Sequence, residues 1–324
     1  MKFPSLPPVF RFGLALVASL AASFVSAADL NKAGKPLKVG FAQTGAESAW
    51  RTANTESMKS EAARRGIDLK FADAQGKSEN QIRAVRSFVT QGVDVIIIAP
   101  IVTTGWEPVL REAKRANIPV IVMDRTVEVS DPSLYACFIG SDFAEEGRMA
   151  ADWLAKHTNG KGRILELQGT TGSAPANERR RAFAEGIAKY PDLKVIDSQS
   201  GDFRREGGKE VMESFLKKHG RNFDIVYAHN DDMALGAIQA IEAAGLKPGK
   251  DVTIVSIDAV REGVEAVVAG KINCVVECNP LFGPKAYDAA AKLALGQPVP
   301  RQQFNKDELF DSTNAAAALP TRKY

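Results

Sequence analysis

The sequence of 324 residues predicts an α/β fold: two similar, doubly wound parallel-sheet lobes joined by a hinge. Three observations lead there. Short Val- and Ile-rich runs without polar alternation recur from Lys38 onward, as expected of strands buried on both faces. Segments of helical period separate them, the order that builds a parallel sheet covered by helices on both sides. The same rhythm then starts again near residue 140, and a chain of roughly 300 residues is long enough for two such units.

In order, the first half offers strands KVGFAQ (38–43), LKFADA (69–74), VDVIIIAP (93–100) and PVIVMDR (119–125). Between them, Ile82, Val85 and Val89 recur at helical spacing, as do Val109, Ala113 and Ala116, so each segment has one apolar face to lay on the sheet. Gly66, Gly92 and Pro119 punctuate the ends. After LYACFIGS (134–141) come RILELQG (163–169), KVIDSQSG (194–201), DIVYAHN (224–230) and VTIVSIDA (252–259). The helix carrying Met233, Ala237, Ala240, Ile241 and Ala244 has the clearest stripe and stops at Gly245. No Gly/Ser or Pro linker divides the halves, so the crossings are expected within strands, near 137–141 and 275–279. The first lobe is then 36–138 plus about 279–310 and the second 139–278, with 311–324 assigned to neither.

Residues 1–28 read as a cleaved secretory leader: Lys2 and Arg11, an uncharged stretch from Phe12 to Phe24, then Val25, Ser26, Ala27 and Ala28. The apolar stretch is shorter than the roughly 20 residues a membrane-spanning helix needs, and no Cys sits at the junction to carry a lipid. Cleavage is placed after Ala27 or Ala28. Removing Lys2 and Arg11 from 42 basic residues leaves 40 against 39 acidic ones, interspersed in sign, which argues against a nucleic-acid partner and a polyanionic ligand. Cys137, Cys274 and Cys278 are too few for a disulfide scaffold and read as buried thiols.

Ligands of open α/β sheets bind beyond the carboxyl ends of the strands, which makes the polar residues following each apolar run the candidates. They are Glu47, Trp50 and Arg51 after the first strand, Asp124 and Arg125 after the fourth, then Arg179, Asn230, Asp258 and Glu277. An aromatic plane for a C–H face beside carboxylates, amides and guanidiniums for hydroxyls suits a neutral sugar. Arg180 and Arg181 are read as solvated, and Ser48 and Asp231 as helix caps. No G-x-S-x-G, H-E-x-x-H or G-x-x-x-x-G-K-[ST] pattern occurs, and His157, His219 and His229 lack metal-ligand spacing, so no catalytic residue, metal or cofactor is expected. The loop GTTGS (169–173) could cradle an anion, but such a turn is a weak signal.

The runs KSENQIRAVRSFVTQGVD, IIIAPIVTTGWEPVLREAK, SQSGDFRREGGKEVMESFLKK and VYAHNDDMALGAIQAIEAAGLKPGKD resemble the ribose-type family of periplasmic sugar-binding proteins, over about 38–277. Ala49-Trp50 replaces the paired aromatics of ribose binders, as in the galactofuranose type of that family. The resemblance implies a type I periplasmic binding fold, a monosaccharide, galactofuranose, held between the lobes, and a permease and ATPase of an ABC importer in the inner membrane as partners to a monomeric receptor. It also implies ligand contacts at the nine candidates. The rivals are a receptor for a sensor kinase or chemotaxis transducer, a secreted glycosidase, and the effector domain of a sugar-responsive repressor, which should carry an amino-terminal helix-turn-helix.

Overall fold

The computed structural model describes Met1 and residues 29–324, and the expected leader lies outside the described residues. The first lobe is built from β1 (Lys38–Gln43), α1 (Ala49–Arg64), β2 (Asp68–Asp73), α2 (Ser78–Thr90), β3 (Val95–Ile98), α3 (Glu107–Arg115), β4 (Val120–Met123) and β5 (Cys137–Gly140). The second follows with α4 (Phe143–His157), β6 (Lys161–Gln168), α5 (Ala174–Ile187), β7 (Asp192–Ser200), α6 (Arg205–His219), β8 (Ile225–Ala228), α7 (Asp231–Ala243), β9 (Thr253–Asp258), α8 (Arg261–Val268) and β10 (Cys274–Glu277). The chain then returns through α9 (Gly283–Ala294), β11 (Gln302–Phe304), β12 (Leu309–Asp311) and α10 (Ala315–Ala318).

Each lobe holds one six-stranded sheet, ordered β11-β5-β4-β3-β1-β2 and β12-β10-β9-β8-β6-β7. Pairing is parallel except where β12 runs antiparallel to β10. The continuous apolar runs occupy the centres of the sheets: Ile96, Ile97 and Ile98 of β3 are fully buried, each stabilising the fold by about 2 kcal/mol on area grounds. One cluster of core residues passes from Phe41 and Ile97 of the first lobe through Cys278 and Phe282 to Ile164 and Tyr227 of the second. The hinge is thus packed with side chains from both lobes.

The boundaries differ from those expected in two places. Strand β5 belongs wholly to the first sheet, since Cys137, Phe138 and Ile139 pair with β4, so the second lobe begins after Gly140. The segment after α9 supplies an edge strand to each sheet: β11 pairs with β5, and Leu309 and Phe310 of β12 pair with β10. Its three-residue strands are too short for periodicity to reveal. The chain therefore crosses between lobes a third time, at 305–308. All three cysteines are buried and free.

Candidate ligand site

The carboxyl ends of both sheets face one cleft. A cavity with ≈ 280 Å³ of empty space lies within it, bounded on the first-lobe side by Glu47, Ser48, Trp50, Arg51, Asp124 and Arg125. The second lobe adds Pro175, Arg179, Phe203, Asn230 and Asp258, and Cys278 closes the hinge side.

The first-lobe wall is a charge network set by the first turn of α1. Ser48 caps that helix by accepting the Arg51 N–H at 3.1 Å. This places Arg51, itself buried, with Nη2 donating to Asp124 Oδ2 at 2.6 Å and Nε to Glu47 Oε1 at 3.2 Å. Arg125 Nη2 donates to the same Glu47 oxygen at 2.9 Å. Burial penalises the Glu47 carboxylate, but the Arg51 and Arg125 guanidiniums outweigh it and hold its pKa below the usual range. For Arg125, burial and the neighbouring Arg51 depress the pKa. Its Nε has no hydrogen-bond partner.

The second-lobe wall centres on Arg179. Its Nε donates to Glu146 Oε2 at 2.7 Å and its Nη1 to the His229 carbonyl at 2.6 Å, while Nη2 stands 3.8 Å from Asp258 Oδ1. Among the described residues no group donates a hydrogen bond to the Asp258 carboxylate, and burial raises its pKa well above normal, only partly offset by Arg179. His229 is buried against Glu166, Nε2 to Oε1 3.2 Å, which fixes the strand end that supplies its carbonyl.

Aromatic surface comes from Trp50 and Phe203. Trp50 is held by an Nε1 hydrogen bond to the Cys278 carbonyl at 2.5 Å and packs edge-on against Phe282. The Phe203 ring lies 5.3 Å from the Arg125 guanidinium and 6.0 Å from that of Arg179, between the two cations. It also lies so close to Gly169 that a Cβ there would stand 1.9 Å from its Cζ, so only glycine fits. Asp124, Asp202, Phe203, Asp258 and Ala259 all have positive φ. Strained backbone of this kind collects at ligand clamps.

Of the nine sequence-selected residues, Glu47, Trp50, Arg51, Asp124, Arg125, Arg179, Asn230 and Asp258 border this cavity. Glu277 does not. Its Oε1 accepts from Arg322 Nη1 at 2.7 Å and from the Tyr324 hydroxyl at 2.8 Å, on the side of the hinge away from the cavity. The following residue, Cys278, lines the cavity instead, since successive residues of an extended segment face opposite ways. Asn230, rather than Asp231, caps α7: its Oδ1 accepts the Met233 N–H at 3.0 Å and its Nδ2 donates to the Phe203 carbonyl at 3.0 Å. Asp231 is buried, bonded to the Ser256 hydroxyl and the Val260 N–H. Arg180 and Arg181 are exposed, as read. The sequence reading missed Phe203 and Glu146: Phe203 stands three residues after β7 but is apolar, outside a criterion restricted to polar residues, and nothing local marks Glu146.

Two contacts join the lobes beside the cavity. The Ala49 N–H at the start of α1 donates to Asp232 Oδ2 at 2.7 Å, and the Thr103 N–H donates to the Gly172 carbonyl at 3.0 Å.

A periplasmic binding protein domain matches residues 39–298. The galactofuranose-binding protein YtfQ of Escherichia coli is 51% identical over 94% of this chain and 97% of its own length. A Mycobacterium smegmatis protein in complex with β-D-fucofuranose is 56% identical, with a TM-score of 0.87 over 89% of this chain and 95% of that one. The binding component of an arabinose ABC transporter from Shewanella sp. ANA-3, bound to α- and β-L-arabinofuranose, is 51% identical with a TM-score of 0.86, over 88% and 95%.

Proposed function

The chain belongs to the periplasmic binding protein family, and from that premise we propose that it is the sugar-binding component of an ABC-type importer, closing over one furanose of galacto configuration. D-Galactofuranose, D-fucofuranose and L-arabinofuranose share the configuration at C2, C3 and C4 and differ in the arm at C4, which grows from one carbon to two. Relatives that hold these three sugars therefore share a ring-recognition problem, and both anomers of arabinofuranose are accepted in one of them.

The observation that carries the reading is the pairing of unused donors and acceptors across the cavity. Arg125 Nε lacks a hydrogen-bond partner on one wall, and on the other the Asp258 carboxyl has Arg179 Nη2 at 3.8 Å, beyond hydrogen-bond distance. A sugar hydroxyl both donates and accepts, so a ring bridging the walls satisfies both at once. Trp50 and Phe203 supply flat apolar surface for its C–H groups. Glu47, Arg51, Asp124, Arg179 and Asn230 complete the set, most of them already locked by protein hydrogen bonds, so little ordering entropy opposes binding. The relatives it matches are sugar-binding proteins, and in this reading the role is carriage rather than catalysis. A permease and an ATPase receive the monomeric, loaded protein in the periplasm after removal of the leader at residue 27 or 28.

Titration calorimetry with D-galactose, D-fucose and L-arabinose tests this, with D-glucose and D-ribose as contrasts. The first three are expected to bind, and the anomeric carbon of bound [1-13C]galactose should resonate in the furanose region by NMR. A bound pyranose signal, or preference for ribose, would refute the furanose assignment.

A further inference from the structure

Beyond the sugar cavity the cleft holds a second chamber, with ≈ 920 Å³ of empty space open to solvent on one side. Its walls come from both lobes: Thr44, Gln75 and Gly76 from loops after β1 and β2, and Thr170, Asp202 and Arg204 from loops after β6 and β7. Glu47 and Arg125 border both chambers. Their 2.9 Å ion pair is the partition between them.

We propose that this outer chamber is a second sugar subsite, so that the protein carries furanose-containing disaccharides, the furanose inside and the linked unit outside. The inference rests on the furanose reading of the inner cavity. Four observations support it. The lobes are already in contact through Ala49 to Asp232 and Thr103 to Gly172, so the chamber belongs to the closed arrangement and does not arise from a gaping cleft. Its lining sets the hydroxyl, amide, carboxylate and guanidinium groups of Thr44, Gln75, Asp202 and Arg204 beside the apolar Ala46 and Ile101, with Asp202 and Arg204 opposing each other at 3.8 Å, a surface of balanced charge that offers partners to both the hydroxyls and the C–H faces of a sugar rather than to an anion. Gln75 and Asp202, one from each lobe, are both held at positive φ, 53° and 56°, the strained corners found where backbone meets a ligand. Finally, Glu47 engages the two arginines through Oε1 alone; Oε2 takes only a 3.3 Å contact from the Thr44 hydroxyl and lies 3.5 Å from where a Gly45 Cβ would stand, on the outer side. That oxygen can accept from a sugar at the junction.

The probe is β-D-galactofuranosyl-(1→6)-D-galactose, which lets the linked unit leave the inner ring through C1 or through the arm, compared with D-galactose by calorimetry. The parent should bind both within about tenfold. Thr170→Trp fills the outer chamber from a side chain with no hydrogen-bond role, and Arg204→Ala strips an exposed wall residue. Both variants should keep galactose affinity within twofold, and Thr170→Trp should lower disaccharide affinity at least tenfold, once unchanged melting shows each is folded. A parent that binds galactose but not the disaccharide, or a Thr170→Trp variant that binds the disaccharide normally, overturns the subsite and leaves the furanose reading intact. If neither sugar binds, the furanose reading itself fails.

Discussion

At the scale of single residues, the cavity combines side chains that are fully committed with a few that are not. Arg51 spends its guanidinium on Asp124, Glu47 and Gln43, so it acts by holding the wall in shape. Arg125 Nε has no hydrogen-bond partner, and the Asp258 carboxyl has Arg179 Nη2 only at 3.8 Å, and these should respond most directly to ligand. Arg125→Ala and Asp258→Ala are expected to weaken sugar binding about tenfold to a hundredfold, as about 1.5–3 kcal/mol is typical for a hydrogen bond to a charged group such as Arg125 and about 1–3 kcal/mol for a buried group left without its partner. Phe203→Ala should cost at least tenfold as well, while exposed Arg180→Ala should change nothing; calorimetry on folded variants decides, and parent-like affinity for the first three would remove them from the site. What the sequence made legible here follows from one rule. A polar residue directly after a buried strand points into the crevice, which found Asp124, Arg125, Asn230 and Asp258. The rule failed at Glu277 because the hinge strand carries its own ion pair to Arg322, a tertiary contact 45 residues away that no local pattern announces.

At the scale of elements, the central strands and amphipathic helices were readable because burial on both faces leaves an unbroken apolar run, as in β3 and β8. The edge strands β11 and β12 were not, since three residues with one exposed side carry no such run. The same limit hid the third crossing of the hinge. Nor could the sequence announce the contact between the start of α1 and the first turn of α7, where the Asp232 carboxylate meets the Ala49 N–H and also pairs with Arg205 at 3.1 Å. The orphan N–H groups and positive dipole end of α1 favour a carboxylate there. Because this contact joins the lobes, it stabilises the closed arrangement specifically. Asp232→Ala should raise the rate of sugar dissociation severalfold with a smaller effect on association. Stopped-flow kinetics reads both rates, and an unchanged dissociation rate would show that the contact contributes nothing to closure.

For the whole molecule, groups drawn from two lobes favour the closed state only when a ligand bridges them, so scattering should report a smaller radius of gyration with saturating sugar than without. The hinge itself carries a further, pH-dependent term. Glu146 on α4 is buried behind Arg179, with Oε1 lacking any hydrogen-bond partner. Burial pushes its pKa up to about 7 despite the attraction of Arg179, and burial likewise lifts Asp307, in the third crossing, to about 6. An acid whose folded pKa is raised binds its proton more tightly in the native state. Its contribution is therefore fully present below the unfolded value near 4.5 and is lost as pH rises through about 7. Carboxylates shifted the other way, such as Glu61 and Asp197 at about 2, lose their contribution only as pH falls below the ordinary carboxylate range. Between pH 5 and 7.5 the raised carboxylates therefore lose their contribution as pH rises, while buried His229, whose pKa burial lowers, contributes with the opposite sign, and the comparison of parent with variant separates Glu146 from both. Glu146→Gln mimics the protonated side chain at every pH and still accepts from Arg179. The parent should melt higher at pH 5 than at pH 7.5, and the variant should shrink that difference by a few degrees, as on the order of 1–3 kcal/mol is at stake. A difference identical in parent and variant would mean that Glu146 stays ionised against Arg179 throughout, and the slope would then belong to Asp231, Asp258 and Asp307, whose pKa values are also raised.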